Sequence, residues 1–407
     1  MPQPVVTSLD PNTITVVKAT VPALQAHGAD ITAKMYDRLF RDEHIRSLFN
    51  HANQANGQQI NALAGAIVAY ASNIDNLGAL LPAVERIAQK HVGFHILPEH
   101  YPYVATALLG AIEDVLGDAA TDEILQAWGQ AYWFLAGILQ NRESALRDAI
   151  EQAPGGWTGW RQFVVSEKIR ESSIITSFIL RPVDGGPVMH HKPGQYITFR
   201  FNAPEQAGIK RNYSISCAPN GEYYRISVKR EENSQGGSRF MHDEVQVGTT
   251  LEITPPAGDF YLPDTPDRPI VLLSGGVGLT PMVSMLETIY HKHPQLQVHY
   301  VHSTMSSRTH AMGQHVQSLA KELAHTKVST FYSEPQAVDQ PGDTHDVSGM
   351  ISLDWLTRNT PVQDADYYIC GPKEFLRVFV NGLAAEGVPA DRIHYEFFGP
   401  ADELLAA

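Results

Sequence analysis

Three periodicities follow one another along the chain. From Asn12 to about Glu151, apolar positions recur at helical spacing in an Ala/Leu-rich background. Leu80, Val84, Ile87 and His91, in steps of four, three and four, fall on one helix face. Pro82 suits the first turn of that helix and Gly93 its end. Two further helical runs are predicted over 98–116 and 121–149, and no strand. Beyond the glycine-rich break PGGWTGW at 154–160 the period drops to two. Ile197, Phe199 and Phe201 share a face, as do Tyr224, Ile226 and Val228, and LEIT then leads into a turn at Pro255–Gly258. Short alternating strands with turns between them predict a small antiparallel barrel. From Pro269 the strand IVLLS runs into GGVGLTP and a helix, followed by the strands LQVHYVHS and YYICGP. Strand–helix alternation predicts a parallel α/β sheet. The expected organisation is multidomain: an all-α domain over 1–152, an antiparallel β-barrel over 157–262 and an α/β parallel-sheet domain over 268–407.

Length agrees, since 407 residues at roughly 150 per domain make two or three domains. Lys+Arg 30 against Asp+Glu 44 gives a net charge of -14, whose field repels polyanions and argues against a nucleic-acid or anionic-membrane binder. Two cysteines, Cys217 and Cys370, exclude a disulfide scaffold and a four-cysteine metal site, and fit a reducing compartment. The start MPQPVVTSLD is not a secretory signal, and no apolar stretch reaches the about 18 residues of a membrane span. A soluble, cytoplasmic protein is expected.

Candidate chemistry begins at Gly276, Val277, Gly278, Leu279, Thr280 and Pro281, where a strand enters a glycine turn that opens a helix. Such a turn brings backbone N–H groups and a helix dipole to a pyrophosphate. The acid that dehydrogenases place on the ribose after the next strand is missing; His302, Ser303, Thr304 and Arg308 stand there instead. Upstream, Arg211, Asn212, Tyr213 and Ser214 lie on a strand, Arg211 and Tyr213 to one side and Asn212 and Ser214 to the other. A tyrosine face can stack on a flavin and an arginine can hold its phosphates. Together with Gly194-Gln195-Tyr196, Gly236-Gly237-Ser238, Cys370-Gly371-Pro372 and Phe397-Phe398-Gly399-Pro400, this series resembles the ferredoxin–NADP reductase superfamily. The resemblance implies that Tyr196, Arg211–Ser214, Gly237 and Ser238 bind FAD. It implies that Gly276–Pro281 and Cys370–Pro372 bind the nicotinamide nucleotide, and that Phe397–Pro400 closes over the flavin.

A lone histidine on an apolar helix face, such as His91, is most often a satisfied core side chain; the alternative is an axial haem ligand. Tyr36 in KMYDRLF, Phe49 in SLFNHANQ, and Gln59, Leu63 and Tyr70 on one helical face favour the haem. These features resemble the globin fold, and the three parts in this order resemble the microbial flavohaemoglobins over about residues 10–403. By that resemblance His91 is the proximal ligand of haem b iron. Tyr36, Gln59 and Leu63 line the oxygen pocket, Phe49 lies against the haem, and Tyr101 and Glu143 are polar partners of His91. Lys90 and Glu396 match positions that tune the two redox centres. His27, His44, His51 and His100 are out of register for a second ligand, and His291-Lys292-His293 reads as exposed loop.

The resemblance implies a nitric oxide dioxygenase. NAD(P)H, with NADH preferred and NADPH allowed, reduces FAD; FAD reduces haem; and haem with oxygen converts nitric oxide to nitrate. The alternatives are an oxygen sensor or store, and a haem-dependent reductase of peroxides, including lipid peroxides. The partners implied are oxygen, nitric oxide and the nucleotide, with a lipid in the haem pocket allowed and no obligate protein partner.

Overall fold

The computed structural model describes residues 4, 6–48, 58–202, 208–231 and 236–399, with the side chains of residues 47, 58 and 59 left out. The chain divides into two compact units, the first running to Gln152 and the second spanning Ala153–Phe398.

In the first unit, the described residues form α1 (Pro11–Ala19), α2 (Val21–Leu39), α3 (Glu43–Leu48), α4 (Gln58–Ser72), α5 (Leu81–Gly93), α6 (Tyr101–Leu116) and α7 (Asp122–Gln152). Prolines occupy the first turns of α1, α2, α5 and α6, where a missing N–H costs no helical bond. The core joins α2, α4, α6 and α7 through Leu24, Ile31, Met35, Leu39, Tyr70, Ala71, Leu108, Ile112 and Trp128. A smaller cluster of Ala88, Tyr101, Ala136 and Leu139 packs α5 against α6 and α7. Trp133 fills space there, edge-on to Tyr132. The predicted run 98–116 is a short 3₁₀ turn, Pro98–His100, followed by α6.

The second unit contains two six-stranded sheets. The antiparallel sheet is built from β1 (Arg161–Arg170), β2 (Ile175–Pro182), β3 (Tyr196–Phe201), β4 (Ile209–Ser214), β5 (Tyr224–Lys229) and β6 (Thr250–Ile253), in the order β4-β3-β6-β1-β2-β5. A bridge between Ile215 and Ile226 joins its two edges. The core of this barrel is Phe163, Phe178, Phe199, Phe201, Ile226 and their neighbours, the inward positions of the period-two pattern. One short helix, α8 (Ser238–Asp243), precedes β6.

The second sheet is parallel, in the order β10-β9-β8-β7-β11-β12. Its strands are β7 (Ile270–Gly275), β8 (Val298–Thr304), β9 (Thr326–Tyr332), β10 (Val347–Ser348), β11 (Asp366–Cys370) and β12 (Ile393–Glu396). The helices are α9 (Leu279–Lys292), α10 (Gly313–Glu322), α11 (Leu353–Asn359) and α12 (Lys373–Ala385). Strand order reverses at β7, which pairs with β8 on one side and β11 on the other. In open parallel sheets such a switch point makes a ligand crevice at the carboxyl ends of the strands. His291 and Lys292 are not loop: they form the last turn of α9, with His293 as its cap, where cationic side chains complement the helix dipole.

Candidate functional site

On α5, His91 faces α6 and α7. Its Nδ1 lies 2.7 Å from Glu143 Oε1 and 3.1 Å from the Tyr101 hydroxyl, and that hydroxyl donates to the same carboxylate oxygen at 2.5 Å. Glu143 is fully buried although it is a carboxylate. Arg147, one turn further along α7, approaches Oε2 at 3.5 Å and also donates to the carbonyl of Ile96. Tyr132 donates to the carbonyl of Tyr101 at 2.8 Å, which fixes the start of α6. Burial, followed by the Glu143 charge, pushes the Tyr101 phenol far above its ordinary value, so it is a neutral donor.

This arrangement fixes one tautomer of His91. With Nδ1–H directed at a carboxylate, the lone pair is on Nε2, the nitrogen left for a metal. The donor set fits haem iron, which takes a single proximal imidazole. Across the same unit, Tyr36 on α2 is buried, 7% exposed, and stacks on Phe40 at 5.3 Å. Leu63 on α4 packs on the main core, and the Tyr70 hydroxyl donates to the Ala131 carbonyl at 2.7 Å. Phe49 and the side chain of Gln59 lie outside the described residues, and Lys90 is exposed in the last turn of α5.

In the second unit β4 carries Arg211–Ser214 beside β3, with Tyr196 opposite Ser214 and Phe199 opposite Arg211. Tyr213 packs edge-on to Phe199 at 5.4 Å, and its buried hydroxyl has no hydrogen-bond partner. Asn212 is exposed and Ser214 buried. Gly237 caps α8 at φ 59°; a Cβ there would meet Arg211 Cγ at 2.8 Å and Nε at 2.9 Å. The guanidinium chain thus lies across the start of α8 beside Ser238, a cation against a helix start that suits a flavin's phosphates. Tyr196 pairs with Ala257 through bonds of 3.0 and 2.9 Å.

At the switch point, Gly276–Gly278 makes a 3₁₀ turn that opens α9, whose first residues Leu279, Thr280 and Pro281 are buried. Gly278 is required by the Cys370–Pro372 turn: a Cβ would come to 2.2 Å from the Cys370 carbonyl oxygen. β11 and β12 set Cys370 directly beside Glu396. Burial, then that carboxylate, holds the Cys370 thiol well above its ordinary value, so it stays protonated. Phe397 is half-buried, Phe398 is 49% exposed, Gly399 closes the described chain and Pro400 lies outside it. In place of a ribose-binding acid, His302 sits fully buried with Nδ1 2.9 Å from Ser274 Oγ, and its Nε2 has no partner.

Comparison with known proteins decides the family. The chain is 58% identical over 400 residues to a flavohemoprotein of Xylella fastidiosa, covering 98% of this chain and 99% of that one. It belongs to the flavohemoprotein family. A flavohemoprotein of Rhodopirellula baltica is 43% identical over 98% of this chain and 100% of its own. Residues 33–139 match the Globin family, and residues 272–381 match the family described as Oxidoreductase NAD-binding domain. The crystal structure of a flavohemoglobin from Malassezia yamatoensis, with bound FAD and heme, superposes with a TM-score of 0.84 at 27% identity, over 96% of this chain and all of that one. The FAD/NAD-binding domain of a nitric oxide dioxygenase from Vibrio cholerae matches 59% of this chain and 99% of its own, with a TM-score of 0.53 and 39% identity. As a flavohemoprotein, the chain is an NAD(P)H-dependent oxidoreductase. Among its described residues, no helix is long and apolar enough to cross a membrane.

Several residues of the site carry no signal in the sequence. Arg147 follows Glu143 by one helical turn, a spacing that suggests the pair only once Glu143 is assigned. Tyr132 and the Ser274–His302 contact depend on tertiary packing alone.

Proposed function

We propose that this flavohemoprotein is a nitric oxide dioxygenase, a reading carried by the triangle of half-buried His91 with buried Glu143 and Tyr101 in the family's globin unit. When bound, NADH supplies a two-electron reductant, FAD converts it to single electrons, and haem uses them with oxygen to oxidise nitric oxide to nitrate.

The protein's own residues do the rest. Glu143 accepts a hydrogen bond from His91 Nδ1–H and makes the ring a stronger electron donor to iron, which favours reactive chemistry over reversible storage. Tyr101 holds that carboxylate with a second hydrogen bond. Tyr36 and Leu63 line the opposite side of the pocket, and Tyr36 donates to the ligand. Arg211 and the start of α8 hold flavin phosphates, Tyr196 and Tyr213 border its ring, and Gly276–Pro281 with Cys370–Pro372 receive the nucleotide. Lys90 and Glu396 tune the haem and flavin environments. Each domain assigned over 1–152, 157–262 and 268–407 carries one of these sites, and the enzyme works in the cytoplasm. A lipid can occupy the haem pocket.

The test is stoichiometry. With NADH and excess oxygen, nitric oxide should disappear, nitrate should form in equal amount, and one NADH should be oxidised for each pair of nitric oxide molecules. Slow turnover with reversible oxygen binding would select the oxygen store instead.

A further inference from the structure

A buried seam fastens the end of the flavin strand to the nucleotide helix. Just past β4, the Cys217 carbonyl accepts from Ser284 Oγ at 2.7 Å and lies 2.9 Å from His191 Nε2. The next residue, Ala218, donates its N–H to Glu287 Oε2 at 2.7 Å. Arg225, from β5, donates to Glu287 Oε1 at 2.6 Å, and His315, from α10, reaches the same oxygen at 2.7 Å. Arg225 also bonds the carbonyl of Ser216. Ser284 and Glu287 are three apart on α9 and so share one face.

Glu287 is 8% exposed, an environment that carboxylates occupy only when donors surround them. Burial works against its ionisation, yet the bonds from His315, Arg225 and Ala218 hold the carboxyl below its ordinary value. The seam also sits close to both cofactor motifs in sequence. Cys217 is three residues beyond Ser214, and Ser284 is three residues beyond Pro281. At about 1.5 Å of rise per residue, the Ser284 and Glu287 anchors lie about 4.5 and 9 Å along α9 from Pro281.

We infer that Glu287 is a positioning residue for hydride transfer: it locks the helix that opens at the nucleotide loop onto the strand that carries Arg211–Ser214. This rests on the flavin and nucleotide reading of those two motifs. In the step it serves, a hydride leaves nicotinamide C4 with its electron pair and joins flavin N5, leaving oxidised nicotinamide and reduced flavin. Glu287 neither gives nor takes a proton. Its effect is geometric, and reacting atoms displaced by a fraction of their separation lose rate steeply.

Glu287→Gln in the full chain tests this. Glutamine keeps an oxygen for the Ala218 N–H and removes the charge that holds Arg225 and His315. FAD content should match the unaltered chain, and NADH affinity should change by no more than about twofold, as for a residue that does not bind the nucleotide. Anaerobic stopped-flow reduction of the flavin by NADH should slow by about tenfold or more. The long-wavelength charge-transfer absorbance of stacked nicotinamide and flavin should weaken, and the primary deuterium isotope effect from 4-deuterated NADH should rise. If Glu287→Gln is recovered without FAD, Ser284→Ala takes its place, since it removes one donor from the Cys217 carbonyl and leaves His191. An FAD-replete variant with unchanged rate and charge-transfer absorbance overturns the inference. No readout involves nitric oxide or haem, so failure of the dioxygenase reading does not imitate this result. An unaltered chain whose flavin NADH does not reduce would overturn the reading of the two motifs, and the inference with it.

Discussion

Replacing Glu143 by glutamine keeps the shape of the side chain and removes its charge, which isolates what the carboxylate does for His91. Two short hydrogen bonds converge on Oε1, at 2.7 Å from His91 Nδ1 and 2.5 Å from the Tyr101 hydroxyl. A bond to a charged group contributes about 1.5–3 kcal/mol net and a neutral one about 0.5–1.5. Each of the two therefore loses about 1–1.5 kcal/mol, and the first unit should lose about 2–3 kcal/mol of stability. For a unit of this size, about 2–4 °C of melting temperature per kcal/mol makes the drop about 4–12 °C. The same charge favours ferric over ferrous iron through the imidazole. If about 1 kcal/mol of the lost interaction distinguishes the two oxidation states, the haem midpoint potential should rise by about 45 mV, at 59 mV per tenfold change. Spectroelectrochemical titration of the full chain, beside thermal unfolding followed at the Soret band, measures both. Unchanged potential and unchanged melting would show that the carboxylate does not act on the imidazole, and the proximal assignment would fall.

Two further outcomes follow from the second unit. Gly278→Ala puts a methyl where the Cys370 carbonyl oxygen stands 2.2 Å away, so the nucleotide turn must move; NADH affinity should fall by at least about tenfold, judged by flavin-reduction kinetics, while bound FAD is retained. His191 is buried and neutral, its pKa lowered to about 4 chiefly by burial, so the folded state binds fewer protons than the unfolded one between about pH 4 and 6.5. Its contribution is intact above pH 6.5 and is lost as pH falls toward 4, by about 1.4 kcal/mol per unit. Thermal unfolding of this unit between pH 7 and 5 should show a falling midpoint, and a flat profile would mean that His191 is not held neutral.

Much of this was legible in the sequence because the signals are local. Leu80 caps α5, and Val84, Ile87 and His91 follow along it at helical spacing, the first two packing beside Tyr101 and His91 reaching Glu143. The switch from period two to an apolar strand followed by GGVGLTP marks the parallel sheet and its crevice. What stayed hidden depends on distant pairings. No local pattern shows the triangle of His91, Tyr101 and Glu143, which the family resemblance alone implied: it spans 52 residues, and only α5, α6 and α7 packing together make it. Arg225 and Glu287 are 62 apart and carry no motif at all. The His291–Lys292–His293 run misled because charge and exposure are shared by loops and by the last turn of a helix.

The dioxygenase account is tested most directly by one paired measurement on full chains, with and without His91→Ala. Nitric oxide consumption driven by NADH is followed in each, with reduction of ferricyanide by NADH as the control for flavin. The account predicts that the alanine chain loses nitric oxide consumption and nitrate formation while ferricyanide is still reduced. Nitric oxide consumed at the normal rate by the alanine chain would contradict it.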